Sequence, residues 1–229
     1  MSHPVAVLLL AAGSGRRIGG PVPKQYLDVA GRALLCHTIT SLRREPRIRW
    51  IQPVIAEGDE ARFAAAVATL PQEGLLPPVH GGRERACSMA AGLKALPGEA
   101  GLVAVHDAAR PLPPVEMLSA LFDCAAAHGA AVPGLPVTDT IKLIDDTGVV
   151  VQTPPRARLR AVQTPQVARR DWLAAAIAQA GDALAGFTDD AALLEAAGYP
   201  VRITPGAPEN RKITTAEDLR WLKEQLGGA

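Results

Sequence analysis

The hydrophobic positions of this chain follow two periods that alternate along it. Residues 5–10 form an unbroken apolar run closed by a glycine-rich turn, and Leu34, Leu35, Thr38, Ile39 and Leu42 follow at the spacing of one helix face. The same change of period recurs, predicting a strand at 51–55, helices at 60–70 and 86–96, a strand at 102–105 and a helix at 115–128. Strands that read as continuous apolar runs and alternate with helices build βαβ units. The pattern therefore predicts a largely parallel sheet covered by helices on both faces, a Rossmann-like α/β fold.

The pattern breaks over residues 138–158, where short apolar segments at 141–144 and 149–151 flank Asp145, Asp146, Thr147 and Gly148. A turn cluster ending in glycine between two such segments predicts a β-hairpin that projects from the α/β body. A two-stranded ribbon is marginal alone in water, so a second copy of the chain is expected to cover it, giving a homodimer joined through this arm. Beyond it the sequence predicts helices near 169–179 and 190–197, a strand at 201–204 and a last helix from about 216 to 226, with Thr214 and Glu217 as its capping box. At 229 residues and 48% hydrophobic content, the chain suits one domain over 1–229 with the arm included.

Charge narrows the partners. With 24 basic and 23 acidic residues there is no global field to attract nucleic acid or an anionic membrane, so any phosphate site has to be local. Cys36, Cys87 and Cys124 are odd in number, widely spaced and without a CxxC pair, which argues against a disulfide scaffold or a zinc site and for a reducing compartment. The apolar run at 5–12 is too short to span a bilayer and no basic segment precedes it, so a soluble, cytoplasmic protein is expected.

Candidate chemistry is concentrated in a few segments. In LLLAAGSGRRIGGPVPKQYL, residues 8–27, Gly13 and Gly15 let the backbone approach a ligand while Arg16, Arg17 and Lys24 supply positive charge, a combination suited to phosphate oxygens. The spacing GxGxxxG, with Pro21 and Pro23 where a dinucleotide-binding helix should run, departs from the dehydrogenase fingerprint, and no P-loop sequence is present. GGRERACSMAAGL, residues 81–93, offers a glycine pair before a helix with Ser88 as a donor. VAVHDAARP, residues 103–111, ends a strand with Asp107, which can ligand Mg²⁺ or hold a hydroxyl, and Arg110, which can grip a phosphate. His106 reads as a residue that packs or orients its neighbours rather than one that transfers protons. No Ser-His-Asp or Cys-His constellation stands out.

The AAGSGRR and PKQYL segments resemble the signature loop of the nucleotidylyltransferases that make CDP-linked polyols. GGRERACS, HDAARP, VTDTIK, AVQTPQ and NRKITT extend the resemblance to the 2-C-methyl-D-erythritol 4-phosphate cytidylyltransferase (IspD) family. The resemblance implies a CTP cradle at Ala11, Ala12, Gly13 and Gly15, base contacts from Gly82, Arg83 and Ser88, and charge stabilisation by Arg17, Lys24 and Lys212. It implies an acceptor pocket of Asp107, Ala108, Arg110, Thr140, Thr164, Lys212 and Arg156, the last reaching from the arm into the other subunit's site. Mg²⁺ is implied as the cofactor, with Asp107 its candidate ligand. Cys87, where the family usually has an acid, Arg160, where tryptophan is frequent, Met89, where valine is common, and Arg211, where a branched apolar residue is usual, depart from the family pattern.

Alternative readings are a ribitol-5-phosphate cytidylyltransferase, a nucleotide-dependent oxidoreductase and a non-catalytic nucleotide-binding protein. The glycine spacing disfavours the oxidoreductase, and intact Lys24, Asp107 and Lys212 disfavour the last. The sequence ends at Ala229 with no downstream cyclase domain of the kind some bifunctional relatives carry, so a monofunctional enzyme is expected.

Overall fold

A computed structural model of the chain describes residues 4–13 and 22–227. In chain order its elements are β1 (Val5–Ala11), β2 (Asp28–Val29), β3 (Arg32–Ala33), α1 (Leu34–Leu42), β4 (Ile48–Ile55), α2 (Glu60–Val67), β5 (Val79–His80), α3 (Arg85–Ala95), β6 (Leu102–Asp107) and α4 (Val115–His128). There follow β7 (Ala130–Pro136), β8 (Leu143–Ile144), β9 (Val150–Gln152), β10 (Arg160–Val162), β11 (Gln166–Arg169), α5 (Arg170–Ala180), α6 (Asp190–Ala196), β12 (Arg202–Pro205) and α7 (Ala216–Gly227).

Eight strands form one sheet in the order β10-β7-β11-β6-β1-β4-β5, with β12 also paired to β7. Pairs β1/β4, β1/β6, β4/β5 and β7/β12 are parallel, as the alternation predicts. β10 and β11 run antiparallel to their neighbours.

The continuous apolar run of β1 has a direct cause. Successive side chains of a strand point to opposite faces, and both faces here are covered. Val5, Val7 and Leu9 enter one core with Leu35, Ile39, Phe63, Leu118, Leu121 and Phe122 from α1, α2 and α4. Ala6 and Leu8 enter a second core with Met89, Leu93, Leu173 and Leu194 from α3, α5 and α6. A third cluster, Val29, Leu34, Ala109, Ile213 and Leu222, fastens α7 beside the loop that follows β6.

Six strands were not predicted: β2, β3 and β5, of two residues each, and β7, β10 and β11. β7 contains Pro133, Gly134 and Pro136, residues that normally interrupt a strand. It forms because its neighbours accept it: Gln163 donates its backbone N–H to the Pro133 carbonyl, and Gly134 leaves room where a Cβ would meet that of Arg160 at 3.0 Å. β10 and β11 are three and four residues long, too short for a period to register.

The hairpin exists as predicted, with β8 paired to β9 and a turn in which the Asp145 carboxylate accepts from the N–H groups of Thr147 and Val149. Its apolar side chains are open: Leu143, Ile144, Val149, Val150 and Val151 are each more than half exposed.

The predicted capping box lies one residue further along. Thr215 rather than Thr214 accepts the Asp218 N–H at 3.2 Å, and Asp218 rather than Glu217 reaches back, accepting from the N–H groups of Thr214 and Thr215 at 2.8 and 2.9 Å. The preference follows from length and setting, since the shorter carboxylate is buried and also pairs with Arg211 at 2.7 Å. Burial pushes the Asp218 carboxyl up from its ordinary 3.8, but the bonds from Thr214 and Thr215 outweigh this and hold it at about 2. A carboxyl depressed on folding contributes stability that is lost as pH falls through its folded value. Asp218→Asn is therefore expected to lower stability at pH 7 by about 1 kcal/mol, the order of a lost cap. The deficit should shrink as pH falls from 4 towards 2, measured by urea unfolding.

Candidate active site

The sheet register gathers the chemistry at one edge. β1, β4, β5 and β6 are parallel, and their carboxyl ends are level: Ala11 is paired with Ile55, Ile55 with His80, and Leu10 with Asp107. Open α/β sheets hold ligands along this edge. A cleft of about 730 Å³, counting space open to solvent, lies there and is lined by Ala11, Ala12, Gly13, Lys24, Gly82, Arg83, Arg85, Ser88, Asp107, Ala108 and Lys212 among others.

Its walls explain the glycines. A Cβ on Gly81 would lie 2.6 Å from the Ser88 hydroxyl and 2.8 Å from the Ala12 Cβ, and one on Gly82 would lie 2.5 Å from the Cys87 Cβ. The 81–82 backbone therefore passes flush against α3. Ser88 is buried, and its hydroxyl donates to the Gly82 and Glu84 carbonyls at 3.2 Å each. Opposite, a Cβ on Gly13 would meet no atom of the described residues within 4 Å.

Asp107 forms the floor. Lys212 reaches its carboxylate at 2.6 Å, and the Arg85 Nε lies 3.7 Å from its other oxygen. Burial favours the neutral acid, but the Lys212 ammonium and then the Arg85 guanidinium outweigh it, holding Asp107 at about 2. Arg85 turns its two terminal nitrogens to the buried Asp190, 2.8 Å to each oxygen, in a bidentate pair. Burial raises the Asp190 carboxyl, opposed by Arg85 and reinforced by Asp107 and Asp189. Lys24 donates to the Ile213 carbonyl at 3.0 Å, which brings it beside the Lys212 loop, and Gln25 ties the same segment to the Ala11 carbonyl at 2.6 Å.

The turn after β6 is held at every carbonyl. That of Asp107 accepts from the Arg110 N–H, that of Ala108 from the Thr38 hydroxyl, that of Ala109 from the Ile213 N–H, and that of Arg110 from the His106 ring. Behind it, the side chain of the buried Asn210 donates to the Thr164 carbonyl at 2.7 Å while its backbone carbonyl accepts from Arg110 at 2.8 Å and from Gln163 at 3.2 Å. Burial holds the His106 imidazole down at about 4, and so neutral near pH 7.

The predicted residues separate into groups. Ala11, Ala12, Gly13, Lys24, Gly82, Arg83, Ser88, Asp107, Ala108 and Lys212 line the cleft; Thr164 lies outside that lining, its hydroxyl accepting from the Asp107 N–H, and Arg110 lies outside it too, its guanidinium donating to the Asn210 carbonyl. Gly15, Arg16 and Arg17 lie outside the described residues. Thr140 and Arg156 do not join this chain's cleft: both are exposed on the arm, where Arg156 donates to the Thr138 carbonyl at 2.8 Å. Arg83 sits exposed on the rim, whereas Arg85, two positions on and not singled out from sequence, makes the buried contacts. The spacing GG-x-x-R-x-x-S that marks this segment counts to Arg85 and was the available signal.

The departures have local accounts. Arg211 pairs with Asp218 and lies over the Trp221 ring at 5.5 Å, Arg160 donates to the Ala157 and Leu159 carbonyls, and Cys87 packs against Gly82. Among the described residues no three His, Cys, Asp or Glu side chains form a metal-binding group. Asp107 and Glu84 are the cleft-lining carboxylates among the described residues, and Asp107 lies on its floor, a donor set that suits a magnesium ion carried chiefly by substrate phosphates. No helix among the described residues is long and apolar enough to cross a membrane.

The sequence profile of the 2-C-methyl-D-erythritol 4-phosphate cytidylyltransferase family matches residues 5–226. A cytidylyltransferase of that name from Symbiobacterium thermophilum is 45% identical over 95% of this chain and 90% of its own length. A bifunctional IspD/IspF enzyme from Bradyrhizobium diazoefficiens is 44% identical over 99% of this chain, which spans 58% of that relative's length. The crystal structure of 4-diphosphocytidyl-2C-methyl-D-erythritol synthase from Anaerococcus prevotii superimposes with a TM-score of 0.87 at 29% identity, covering 99% of this chain and 100% of that one.

The ion-pair geometry separates the two arginines energetically. Removing one partner of a buried pair strands the other charge and costs about 3–5 kcal/mol, whereas an exposed change costs about 0.5 kcal/mol or less. Arg85→Met is thus expected to destabilise the fold by about 3 kcal/mol and Arg83→Ala to leave it unchanged, as read by chemical denaturation. Equal effects of the two would contradict the assignment.

Proposed function

The chain belongs to the 2-C-methyl-D-erythritol 4-phosphate cytidylyltransferase family, and on that premise we propose that it transfers the cytidylyl group of CTP to 2-C-methyl-D-erythritol 4-phosphate. The products are 4-(cytidine 5'-diphospho)-2-C-methyl-D-erythritol and pyrophosphate, in the non-mevalonate route to isoprenoid precursors. The observation that carries the reading is the convergence of Lys212 and Arg85 on Asp107 at the floor of a glycine-walled cleft that Lys24 also lines.

An acceptor phosphate is already a nucleophile, so its oxygen attacks the α-phosphorus of CTP, the bond to the β-phosphate oxygen breaks, and pyrophosphate carries the electron pair away. The protein's part is alignment and charge stabilisation. Lys24 and Lys212, with Arg17, offset charge growing at the α-phosphate. The flush backbone at Gly82, with Ser88 beneath and Arg83 on the rim, suits a flat base, while Ala11, Ala12, Gly13 and Gly15 cradle the triphosphate. Asp107, Ala108, Arg110 and Thr164 are the acceptor-side residues. A magnesium ion, when bound to the triphosphate with Asp107 as its protein ligand, supplies further neutralisation of phosphate charge.

Thr140 and Arg156 complete the acceptor pocket from a second copy of the chain. The open apolar strip of β8 and β9 supports such a dimer, since an uncovered two-stranded ribbon is marginal in water. Three free cysteines suit a cytoplasmic setting.

In a pyrophosphate-release assay with CTP, kcat/KM for 2-C-methyl-D-erythritol 4-phosphate is expected to exceed that for ribitol 5-phosphate by about 10² or more, the discrimination available when a site is built around particular hydroxyls. The reverse preference would assign the chain to the ribitol reaction. For the arm, neither Arg156→Ala nor Lys24→Ala homodimers should turn over appreciably. Mixing the two is expected to restore one working site in each heterodimer, and absence of recovery would reject the cross-subunit role.

A further inference from the structure

His106 is fully buried at the end of β6, one residue before Asp107, and the chemistry proposed above does not use it. Its ring nevertheless joins two acceptor-side groups. The Nε2 atom lies 3.1 Å from the Arg110 carbonyl oxygen. A carbonyl can only accept, so Nε2 carries the proton. In the neutral ring Nδ1 is then an acceptor, and the Thr164 hydroxyl at 3.0 Å must donate to it. With its proton committed, the Thr164 oxygen presents lone pairs, one of which receives the Asp107 N–H at 3.1 Å. The hydrogen bonds therefore run in one direction, from Asp107 through Thr164 to His106 and on to Arg110.

From this geometry we infer that His106 is the positioning residue of the acceptor half of the site, fixing the Thr164 hydroxyl through Nδ1 and the turn that aims Arg110 through Nε2–H. The inference rests on the assignment of Thr164 and Arg110 to the acceptor. It accounts for an imidazole where an apolar side chain would fill the same space without a desolvation cost. Reversing the tautomer would set Nε2 and the Arg110 carbonyl lone pair to lone pair, so the neutral ring admits one proton placement. His106 touches no cleft-lining face and transfers no proton. It acts through its two neighbours.

The two contacts can be removed separately. Gln places an amide near Nε2 and lacks an acceptor at Nδ1, while Asn places an acceptor near Nδ1 and falls short of the Arg110 carbonyl. Both His106→Gln and His106→Asn are expected to raise KM for the acceptor about tenfold, the effect of one hydrogen bond, and to leave KM for CTP within about twofold. His106→Gln and Thr164→Val remove the same bond, so the double variant should lose no more than the worse single one, whereas multiplied losses would overturn the coupling. A parallel rise in both KM values would reduce His106 to packing. Imidazole ¹⁵N shifts of the free wild-type protein give a test that needs no substrate: an Nε2–H tautomer is expected, and an Nδ1–H ring overturns the inference even if the enzyme is fully active. If the wild-type protein fails to use the acceptor while showing the Nε2–H ring, the functional reading falls and the hydrogen-bond direction stands.

Discussion

The arrangement depends on how two largely buried carboxylates are held by two cations that stay partly open to water. Lys212, Asp107, Arg85 and Asp190 form a chain in which each ion faces one or two of opposite sign. Burying either carboxylate alone would be prohibitive, and attraction to the two cations is what makes the burial tolerable. They come from the loop before α7, the end of β6, the start of α3 and the start of α6, so the same chain that neutralises Asp107 joins four parts of the fold at the cleft. A site built this way is stiff at its floor and has cations already in place when polyanions arrive, which suits chemistry in which the protein contributes alignment more than covalent participation.

The hydrophobic layers supply the platform. Alternate residues of β1 enter two separate cores, so the strand is held from both sides and its carboxyl end has little freedom. The third cluster is smaller and does a different job. Ala109 belongs to the turn that carries Asp107 and Arg110, and Ile213 follows Lys212, so one apolar contact region holds two polar segments at a set separation. The hydrogen bond from the Ile213 N–H to the Ala109 carbonyl reinforces it at 2.8 Å.

What was legible in the sequence follows from range. The longer elements from β1 through α4 announce themselves because apolar periodicity is a local signal, which the two-residue strands β2, β3 and β5 are too short to carry, and the hairpin does so because Asp145 to Gly148 is local turn chemistry. β7 was hidden by Pro133, Gly134 and Pro136, whose strand conformation is imposed by partners distant in sequence. The capping box was displaced by one residue because Thr214 and Thr215 are equivalent on paper, and only burial of Asp218 distinguishes them. Arg85 was passed over for Arg83 for a related reason: its partner Asp190 lies 105 residues away, and nothing near it in sequence records that contact. The cleft residues were readable because glycine, lysine and aspartate occur at strand ends, whereas Asn210 and Gln163, which hold those ends in place, look like ordinary loop amides.

The pairing of Leu10 with Asp107 sets a tolerance for the chemistry. Residues along a strand are spaced by about 3.3 Å and alternate in direction, so β6 can shift against β1 only in whole steps, each of which would turn the aspartate to the opposite face and bury Val105 and Val103 on the wrong side. A slip of register is therefore not available as a small error in carboxylate position. The ladder behaves as a ratchet, and the floor of the cleft is either in register or unformed.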